Sequence, residues 1–388
     1  MEFLLRFRNS IVSLLYRLLL KPIFFLINPE KVHDIMLAFG AWMGDCALAR
    51  LSTRLAFYYS NPVLGQTIKE VYFPNPVGLA AGFDKDGRLT QILPEVGFGF
   101  AEIGSVTGRP CVGNSGRRLW RLKKSKSIVV YYGLKNNGAK AISTALSGLT
   151  FKIPIGISIA KTNIASTTDE AVGIADYVQA YTFFAQKNIG DYVTVNISCP
   201  NTCGGQPFLN PEALSRLLAA LSATRLEYQD TKPWFIKLAA DIYPAMLDGI
   251  IEVARTYQIT GFVCSNVTKN RHNKKIIDKK VPAQGGLSGA VVKDLSTNLI
   301  RHIYRKSGKE FIIIGCGGIF SAEDAYEKIK AGASLLQLIT GMIFQGPQLI
   351  SQINQKLVFL LRKDGYTTIN EAIGVDAKEC SSISTSLE

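Results

Sequence analysis

The sequence predicts an α/β protein, a (β/α)8 (TIM) barrel preceded by an N-terminal helical, membrane-associating extension. Three observations carry this prediction. Short apolar runs alternate with helical patterns over most of the 388 residues, which is typical of parallel sheets with crossover helices. The runs end in Asn, Lys, Ser, Thr and Gly residues. Residues 1–30 differ in composition from the rest. A doubly wound open sheet is the alternative.

Composition limits the function classes. A hydrophobic content of 47% with 19% charged residues indicates a globular protein, and the formal net charge is +14. No Lys/Arg block is interleaved with aromatic residues, so we expect no nucleic-acid partner, and we interpret the basic stretch 269–275 as a solvated loop. The seven scattered cysteines and three histidines predict neither a disulfide framework nor a metal site.

The first 30 residues are rich in Leu, Ile and Phe but contain Arg6, Arg8, Arg17, Lys21 and Pro22. We expect no uninterrupted apolar run of bilayer length and no cleavable signal, and therefore a helix lying in the membrane interface. A second helix is expected over about 29–50. The alternatives are a helical pair packed on a soluble core and a transit peptide. The predicted division is 1–60 for this segment, 61–373 for the barrel and 374–388 for a disordered tail.

The periodicity predicts eight strands and eight helices in alternation. The strands are expected at 77–81, 100–103, 154–159, 192–197, 234–238, 261–265, 311–315 and 334–339. The helices are expected at 87–96, 137–147, 170–188, 211–225, 244–257, 291–306, 321–330 and 347–362.

The stretch Asp191–Gly205 is the strongest candidate for a functional site. It begins as a strand and then changes abruptly to Asn196, Ser198, Cys199 and Asn201. Loops after the carboxyl ends of barrel strands carry the reactive groups, so the other strand ends should contribute to the same site. Those ends carry Lys85, Ser158, Lys161, Asn163, Lys237, Ser265, Asn266 and Thr340.

Glycine-rich turns follow the last two strands, at Gly315–Ile319 and at Thr340–Gly341, and a helix begins near Ser321. Paired turns of this kind hold phosphate groups in many barrels. Amides, hydroxyls and a thiol cannot themselves transfer a hydride, so a phosphate-anchored flavin mononucleotide (FMN) is the expected cofactor. Lys237 would place positive charge beside it. A lysine paired with a core acid, or a Schiff-base lysine of an aldolase or lyase, is an alternative for Lys237.

Several motifs resemble those of dihydroorotate dehydrogenases, over about residues 20–353. They are NPEKVHD (28–34), NPVGLAAGFDKDG (75–87), EIGSVTGRP (102–110), RLWRL (118–122), NISCPNT (196–202), GGLSG (285–289), IIIGCGGI (312–319) and AGASLLQL (331–338). The N-terminal helices make the chain similar to the membrane-associated, quinone-linked class.

The resemblance implies FMN-dependent oxidation of dihydroorotate to orotate in pyrimidine (UMP) synthesis, with electrons passed to a membrane quinone. It implies Cys199 as the base that removes a substrate proton. The implied substrate-binding residues are Lys85, Asn196, Asn201 and Asn266. The implied FMN-binding residues are Ala81, Gly82, Lys85, Ser105, Ser158, Asn196, Lys237, Ser265, Gly289, Gly318 and Thr340. The expected location is peripheral, at the cytoplasmic membrane of a bacterium or the inner mitochondrial membrane of a eukaryote.

The chain departs from the family pattern at the site itself. Cys199 stands where the quinone-linked class has Ser, and Val130 stands where the family has a fourth substrate-binding Asn, unless Asn136 or Asn137 takes its place. Ser105 replaces a Thr, Ser158 an Asn and Ile339 a Tyr near the flavin. A related flavin oxidoreductase acting on another dihydropyrimidine therefore stays an alternative. So does a membrane-bound barrel that binds a phosphorylated ligand without turnover.

Overall fold

The computed structural model describes residues 2–377. Its strands are, in order, β1 (Gln66–Ile68), β2 (Val71–Phe73), β3 (Val77–Leu79), β4 (Phe100–Val106), β5 (Leu119–Leu122), β6 (Ser127–Val130), β7 (Ile155–Ile159), β8 (Tyr192–Asn196), β9 (Trp234–Lys237), β10 (Gly261–Cys264), β11 (Gly286–Gly289), β12 (Ile312–Cys316) and β13 (Leu335–Leu338). A closed parallel barrel is formed by β3, β4, β7, β8, β9, β10, β12 and β13, with neighbours in chain order. The predicted (β/α)8 barrel is confirmed.

The helices alternate with these strands. They are α1 (Glu2–Leu15), α2 (Lys21–Leu26), α3 (Pro29–Asp45), α4 (Ala47–Phe57), α5 (Leu93–Val96), α6 (Ala139–Leu146), α7 (Glu170–Ala185), α8 (Pro211–Glu227), α9 (Pro244–Thr256), α10 (Lys293–Ser307), α11 (Ala322–Lys330), α12 (Thr340–Gln345), α13 (Leu349–Lys363) and α14 (Ile369–Ala372). The expected helix over 87–96 is wrong in its first six residues. Backbone amides of Arg88 and Leu89 donate to the Asp84 carboxylate at 2.8 and 2.7 Å, which stabilises a loop there.

The amino end of the barrel is closed by packed aromatic and aliphatic side chains. Phe73, Phe100, Tyr192 and Phe235 form this plug, and each is at most 2% exposed. The β1–β2 hairpin covers it, because Phe73 and Ile68 belong to the same cluster. Ligands can therefore enter the barrel only from the carboxyl end of its strands, where the predicted site residues lie.

An antiparallel sheet that the sequence did not predict stands on that carboxyl end. It consists of β5, β6 and β11, with β6 in the centre. Because β5 and β6 belong to the connection after β4, while β11 belongs to the connection after β10, the sheet ties two distant loops into one wall beside the barrel mouth.

The N-terminal segment begins with one long helix. Residues Glu2–Leu26 form one helical run of 25 residues, and an 18-residue window within it has a mean hydropathy of 1.4, so the run is long and apolar enough to cross a membrane by length and composition. As expected, its apolar residues are not uninterrupted, because Arg6, Arg8, Arg17 and Lys21 divide them, but the helix itself is continuous. A π-helical turn, Tyr16–Leu20, precedes Pro22, and the Lys21 amide donates to the Tyr16 carbonyl, so the helix continues past a residue without an N–H.

One side of this helix packs on the barrel. The Asn9 amide donates to Ser351 Oγ on α13 at 3.1 Å, and Tyr16 Oη donates to the Ile343 carbonyl at 2.7 Å. The other side exposes Phe3, Leu18 and Leu26, which are 77%, 64% and 85% accessible. At the other end of the chain, the Arg305 guanidinium donates to the Ala377 carbonyl at 2.8 Å. Residues 374–377 of the expected disordered tail thus pack on the barrel, and 378–388 lie outside the described residues.

Candidate active site

A cavity at the carboxyl end of the barrel brings nearly all the predicted site residues together. Its lining includes Ala81, Gly82, Lys85, Ser105, Asn196, Cys199, Asn201, Lys237, Ser265, Asn266, Gly289, Gly318 and Thr340. Ser158 does not line it. That side chain is fully buried behind Ser105, and their hydroxyl oxygens are 2.8 Å apart. Ser158 can therefore act on a ligand only through Ser105.

The reactive side chain of the stretch Asp191–Gly205 that remains available for chemistry is the thiol of Cys199. The neighbouring Ser198 is fully buried and committed: its hydroxyl donates to Asn196 Oδ1 at 2.8 Å and accepts from Asn266 Nδ2 at 3.0 Å. Cys199 lines the cavity instead. Burial raises the pKa of the Cys199 thiol above its ordinary value, against an opposing hydrogen bond from the Asn201 backbone.

Three carboxamides surround the cavity near this thiol, each held by a fixed partner. Asn196 Nδ2 donates to Ser105 Oγ at 2.7 Å. Asn201 Nδ2 donates to the Val130 carbonyl at 2.9 Å. Asn266 Oδ1 accepts the Val267 amide at 2.8 Å. Since a carboxamide offers both a donor and an acceptor, three of them suit a flat ring that alternates N–H and C=O groups.

Lys237 lies deeper in the barrel, paired with a buried acid. Its Nζ is 3.9 Å from Glu102 Oε1, and the two side chains are 5% and 0% exposed. The other oxygen of Glu102 accepts hydrogen bonds from Thr194 at 3.0 Å and Gln337 at 2.8 Å. Gln337 Oε1 is buried beside the cavity with no hydrogen-bond partner in residues 2–377. The Lys237 ammonium and the Gln337 side-chain oxygen are therefore available to a ligand in this deeper part of the cavity.

The opposite wall carries a buried lysine among aromatic rings. Lys85 Nζ lies 4.0 Å from the centroid of the Tyr132 ring. Burial, followed by the charge of Lys135, lowers the pKa of Lys85 to about 8. His33 reaches this wall from α3, and its Nε2 is 2.8 Å from the Phe83 carbonyl. Burial and then Lys85 lower the pKa of His33 to about 4, so the imidazole is neutral and donates to that carbonyl.

The glycine turns after β12 and β13 form a cradle of backbone. A Cβ at Gly318, where φ is +73°, would lie 2.4 Å from Lys293 Cβ, and one at Gly341 would lie 2.0 Å from the Ile319 carbonyl oxygen. Glycine is therefore needed for the backbone to fold this tightly. Ser288 Oγ and Thr340 Oγ1 are 2.8 Å apart beside these turns.

The helix expected near Ser321 begins there, with Ser321 as the N-cap of α11, but its first residues do not line the cavity. The N-terminus of α11 is capped by its own residues, because the Asp324 amide donates to Ser321 Oγ and Asp324 Oδ2 accepts the Phe320 amide. Ser321 does not line the cavity. The backbone available to a phosphate is that of Gly317, Gly318, Thr340 and Gly341, which do line it.

These features fit a flat cofactor with a phosphate group. Gly82 lies on the cavity wall with φ +110°, and a Cβ there would meet no protein atom within 4 Å. The open space over Gly82, the ammonium of Lys237, the unpartnered oxygen of Gln337 and the glycine cradle lie in one continuous cavity. Such a combination suits a ligand with a flat polar ring and a phosphate tail.

The position at which the resemblance implies a fourth substrate-binding Asn is apolar. Val130 lines the cavity, whereas Asn136 and Asn137 do not. Asn136 is 4% exposed, and its Nδ2 donates to Thr107 Oγ1 at 2.8 Å while its Oδ1 accepts the Gly138 amide at 2.8 Å. Neither residue replaces the lost carboxamide, so a ligand meets a side chain without hydrogen-bonding groups at this point.

The sequence analysis named Ser198 within the candidate stretch, but it did not assign the contacts that hold the lining in place. Ser198 joins two carboxamides, Glu102 pairs with Lys237, and Asn114 donates to the Asn201 carbonyl at 3.0 Å. His33 and Tyr132 were not predicted either. Of these residues, Glu102 could have been recognised from the sequence, because it is an acid within the otherwise apolar strand FAEIGSV. A charge buried in a strand requires a partner.

Comparison with known proteins agrees with this geometry. The family model for dihydroorotate dehydrogenase matches residues 63–361. The chain is 38% identical to a dihydroorotate dehydrogenase (quinone) of Nostoc punctiforme, over 94% of this chain and 99% of the relative. It is 36% identical to one from a Mycobacterium species, over 92% and 97%. A crystal structure of the Eimeria tenella dihydroorotate dehydrogenase with ferulenol has a TM-score of 0.79 and 27% identity, covering 90% of this chain and 96% of that one. The chain belongs to the dihydroorotate dehydrogenase family.

Proposed function

We propose that this protein is a flavin-dependent enzyme that oxidises dihydroorotate to orotate in pyrimidine biosynthesis, with FMN as the flavin. The observation that carries the proposal is the convergence in one cavity of the Cys199 thiol, three fixed carboxamides and a glycine cradle. The name of the relatives, dihydroorotate dehydrogenase (quinone), supports the same substrate and a quinone as acceptor.

The carboxamides orient the substrate ring for the base. Asn196, Asn201 and Asn266 donate to its carbonyl oxygens and accept from its N–H groups. The Lys85 ammonium attracts the substrate carboxylate, because it is buried and its neighbours His33 and Tyr132 are uncharged at neutral pH. A fixed orientation of this kind contributes more to the rate than added affinity does.

Cys199 is the general base. Its Sγ takes the proton from the ring carbon next to the one that is oxidised, and the resulting thiol later returns this proton to solvent. Because burial raises the pKa of the free thiol, only a minor fraction is thiolate at neutral pH. The reaction rate should therefore increase with pH until the thiol is ionised.

The flavin would be held by the deeper and the glycine-rich parts of the cavity. Lys237 and Gln337 would contact its ring, Gly82 would leave room for its face, and Gly318 and Thr340 would hold its phosphate. When bound, a flavin supplies the two-electron acceptor for the substrate C–H bond and delivers the electrons to the quinone. The chain contributes the positive charge of Lys237 and a site from which water is displaced.

The N-terminal segment, residues 1–60, would act as the membrane-associating and quinone-access unit of the barrel, residues 61–373. Two observations support this division. The cavity extends past the apolar side chains of Leu119, Ile128 and Ile343 to His33 on α3. The outer side of Glu2–Leu26 exposes many large apolar side chains together with Arg6 and Arg17, while its inner side packs on α13. Peripheral association with a membrane follows, at the inner mitochondrial membrane if the source is eukaryotic and the cytoplasmic membrane if it is bacterial.

A second candidate substrate is another dihydropyrimidine, since Val130 removes one polar contact. The aldolase alternative is not favoured, because a lysine held against buried Glu102 is not free to attack a carbonyl. The test is anaerobic titration of the purified flavoprotein. We expect a yellow protein that is bleached by dihydroorotate and not by dihydrouracil. Bleaching by dihydrouracil alone would select the second candidate, and a colourless protein that binds no added FMN would refute both.

A further inference from the structure

Two basic segments meet at the rim of the barrel mouth. The β5–β6 turn carries Lys123, Lys124 and Lys126, and the loop after β10 carries Lys274, Lys275, Lys279 and Lys280; all seven are exposed. We call residues 123–126 together with 274–280 the lysine surface. The segments are joined through one acid, since Asp278 Oδ2 accepts the Ser125 amide at 2.7 Å and the Ser125 hydroxyl at 2.6 Å.

The loop is held in place rather than solvated on all sides. The Arg271 guanidinium donates to the Gly285 carbonyl at 2.6 Å and to the Pro282 carbonyl at 3.1 Å. Asn273 Nδ2 donates to the Val291 carbonyl at 2.9 Å. The lysines that follow are therefore presented from a fixed backbone, and their positions relative to the β5–β6 turn are fixed as well.

The charge of the lysine surface is largely uncompensated. Lys275 Nζ pairs with Asp294 at 2.6 Å. Within residues 2–377, the other six lysines have no carboxylate oxygen within 4.0 Å. Asp278 is engaged by Ser125. Like charges gathered at this density repel one another, and an anionic partner removes that repulsion.

The lysine surface continues the apolar N-terminal helix. Arg121 Nη1 donates to the Ile27 carbonyl at 2.8 Å, and its Cζ lies 4.8 Å from the Phe25 ring centroid. Lys123 Nζ lies 5.9 Å from the same centroid. Leu26, at the end of that helix, is 85% exposed. The turn of the hairpin thus adjoins the end of the segment that we place at the membrane.

An apolar side chain projects from among these lysines. Ile277 is 61% exposed, with two lysines before it and two after it in the sequence KKIIDKK. An exposed aliphatic residue flanked by cations is the composition of membrane-surface segments: the cations lie at the lipid phosphates and the aliphatic group enters the interface. A soluble acidic partner would give no reason for this exposed isoleucine.

We propose that the lysine surface is a second membrane contact, which binds the phosphate groups of anionic phospholipids while Ile277 enters the interface. It would hold the barrel mouth toward the bilayer. This inference rests on the membrane association proposed above and is independent of the oxidation chemistry.

The test compares the full-length variant K274Q/K279Q/K280Q with the wild type in vesicle sedimentation. One set of vesicles is phosphatidylcholine alone, and in the other phosphatidylglycerol replaces part of it. Each lysine near an anionic surface contributes about five-fold to partitioning, so the preference for anionic vesicles should fall by at least about ten-fold. Binding to phosphatidylcholine should not change. A matched control removes three exposed lysines at the closed end of the barrel, K69Q/K187Q/K309Q.

An unchanged preference in the loop variant would overturn the proposal. So would an equal loss in the control, because net charge rather than position would then decide binding. A loss of binding to both vesicle types would also contradict it, since lipid charge would not be what these lysines recognise. The variant I277N should weaken binding to anionic vesicles while its charge stays the same. If the wild type binds neither vesicle type, the proposed membrane association itself is refuted. A protein that fails to oxidise dihydroorotate but shows the predicted vesicle binding would refute the proposed function and not the lysine surface.

Discussion

Replacement of Lys237 by Met, alone and together with E102Q, separates the structural role of this residue from its proposed role toward the flavin. The substitution removes the ammonium 3.9 Å from Glu102 Oε1, and that carboxylate is completely buried. Loss of one partner from a buried ion pair leaves an uncompensated charge and costs about 3–5 kcal/mol. An unfolding entropy of about 2.1 cal/mol/K per residue, over a chain of 388 residues, converts this loss into a decrease in Tm of about 4–6 °C.

The double variant K237M/E102Q provides the control. The carboxamide introduced at position 102 would still accept hydrogen bonds from Thr194 and Gln337 but would carry no charge. Most of the decrease in Tm caused by K237M should therefore be reversed in the double variant. The affinity for FMN should stay low in the double variant, because it still lacks the Lys237 ammonium. A hydrogen bond to a charged group contributes about 1.5–3 kcal/mol, or roughly ten- to hundred-fold in Kd. Differential scanning fluorimetry of the flavin-free protein gives Tm, and quenching of FMN fluorescence gives Kd. A single variant with unchanged Tm, or a double variant with normal FMN affinity, would refute this reasoning.

Further outcomes test other parts of the site. Burial holds the pKa of the Cys199 thiol above its usual value of about 8.5, so flavin reduction at saturating dihydroorotate should keep accelerating as pH rises past that value; a flat profile would exclude a thiolate base. The pKa of Lys85 in the free enzyme is lowered to about 8, so KM for dihydroorotate should increase as pH rises through that value. Gly318→Ala should abolish FMN binding, whereas Gly365→Ala, with a similar positive φ but no atom within 4 Å, should not. Deletion of residues 2–26 should reduce quinone reduction more than flavin reduction, and an equally quinone-active truncation would contradict the role of this helix.

The barrel could be predicted because its strands are buried on both faces. Runs such as those at β7 and β12 read as continuous apolar segments, which is typical of parallel strands under helices. The sheet of β5, β6 and β11 could not be predicted in this way. Its strands are four residues each, and β11 pairs with β6 from a loop more than 150 residues away, as Gly286 opposite Val130 shows.

The same contrast applies to the site. The topology of a closed barrel forces the groups after its strands into one place, so Asn196, Lys237 and Asn266 could be predicted to meet. Ser198 and Glu102 could not be assigned, because their partners come from other strands and only the folded chain brings them within hydrogen-bonding distance. The start of a helix near Ser321 was predicted correctly, but the sequence does not show that these residues lie outside the cavity lining.

The most direct measurement of the central claim is the rate of anaerobic flavin reduction by dihydroorotate in a stopped-flow instrument, with wild type and Cys199→Ala compared at equal FMN content. A general base contributes typically 10²–10⁴-fold. We predict that the Ala variant binds FMN normally and is reduced slower by about that factor. An Ala variant that is reduced at the wild-type rate would contradict the account, because the proton would then leave the substrate without the thiol.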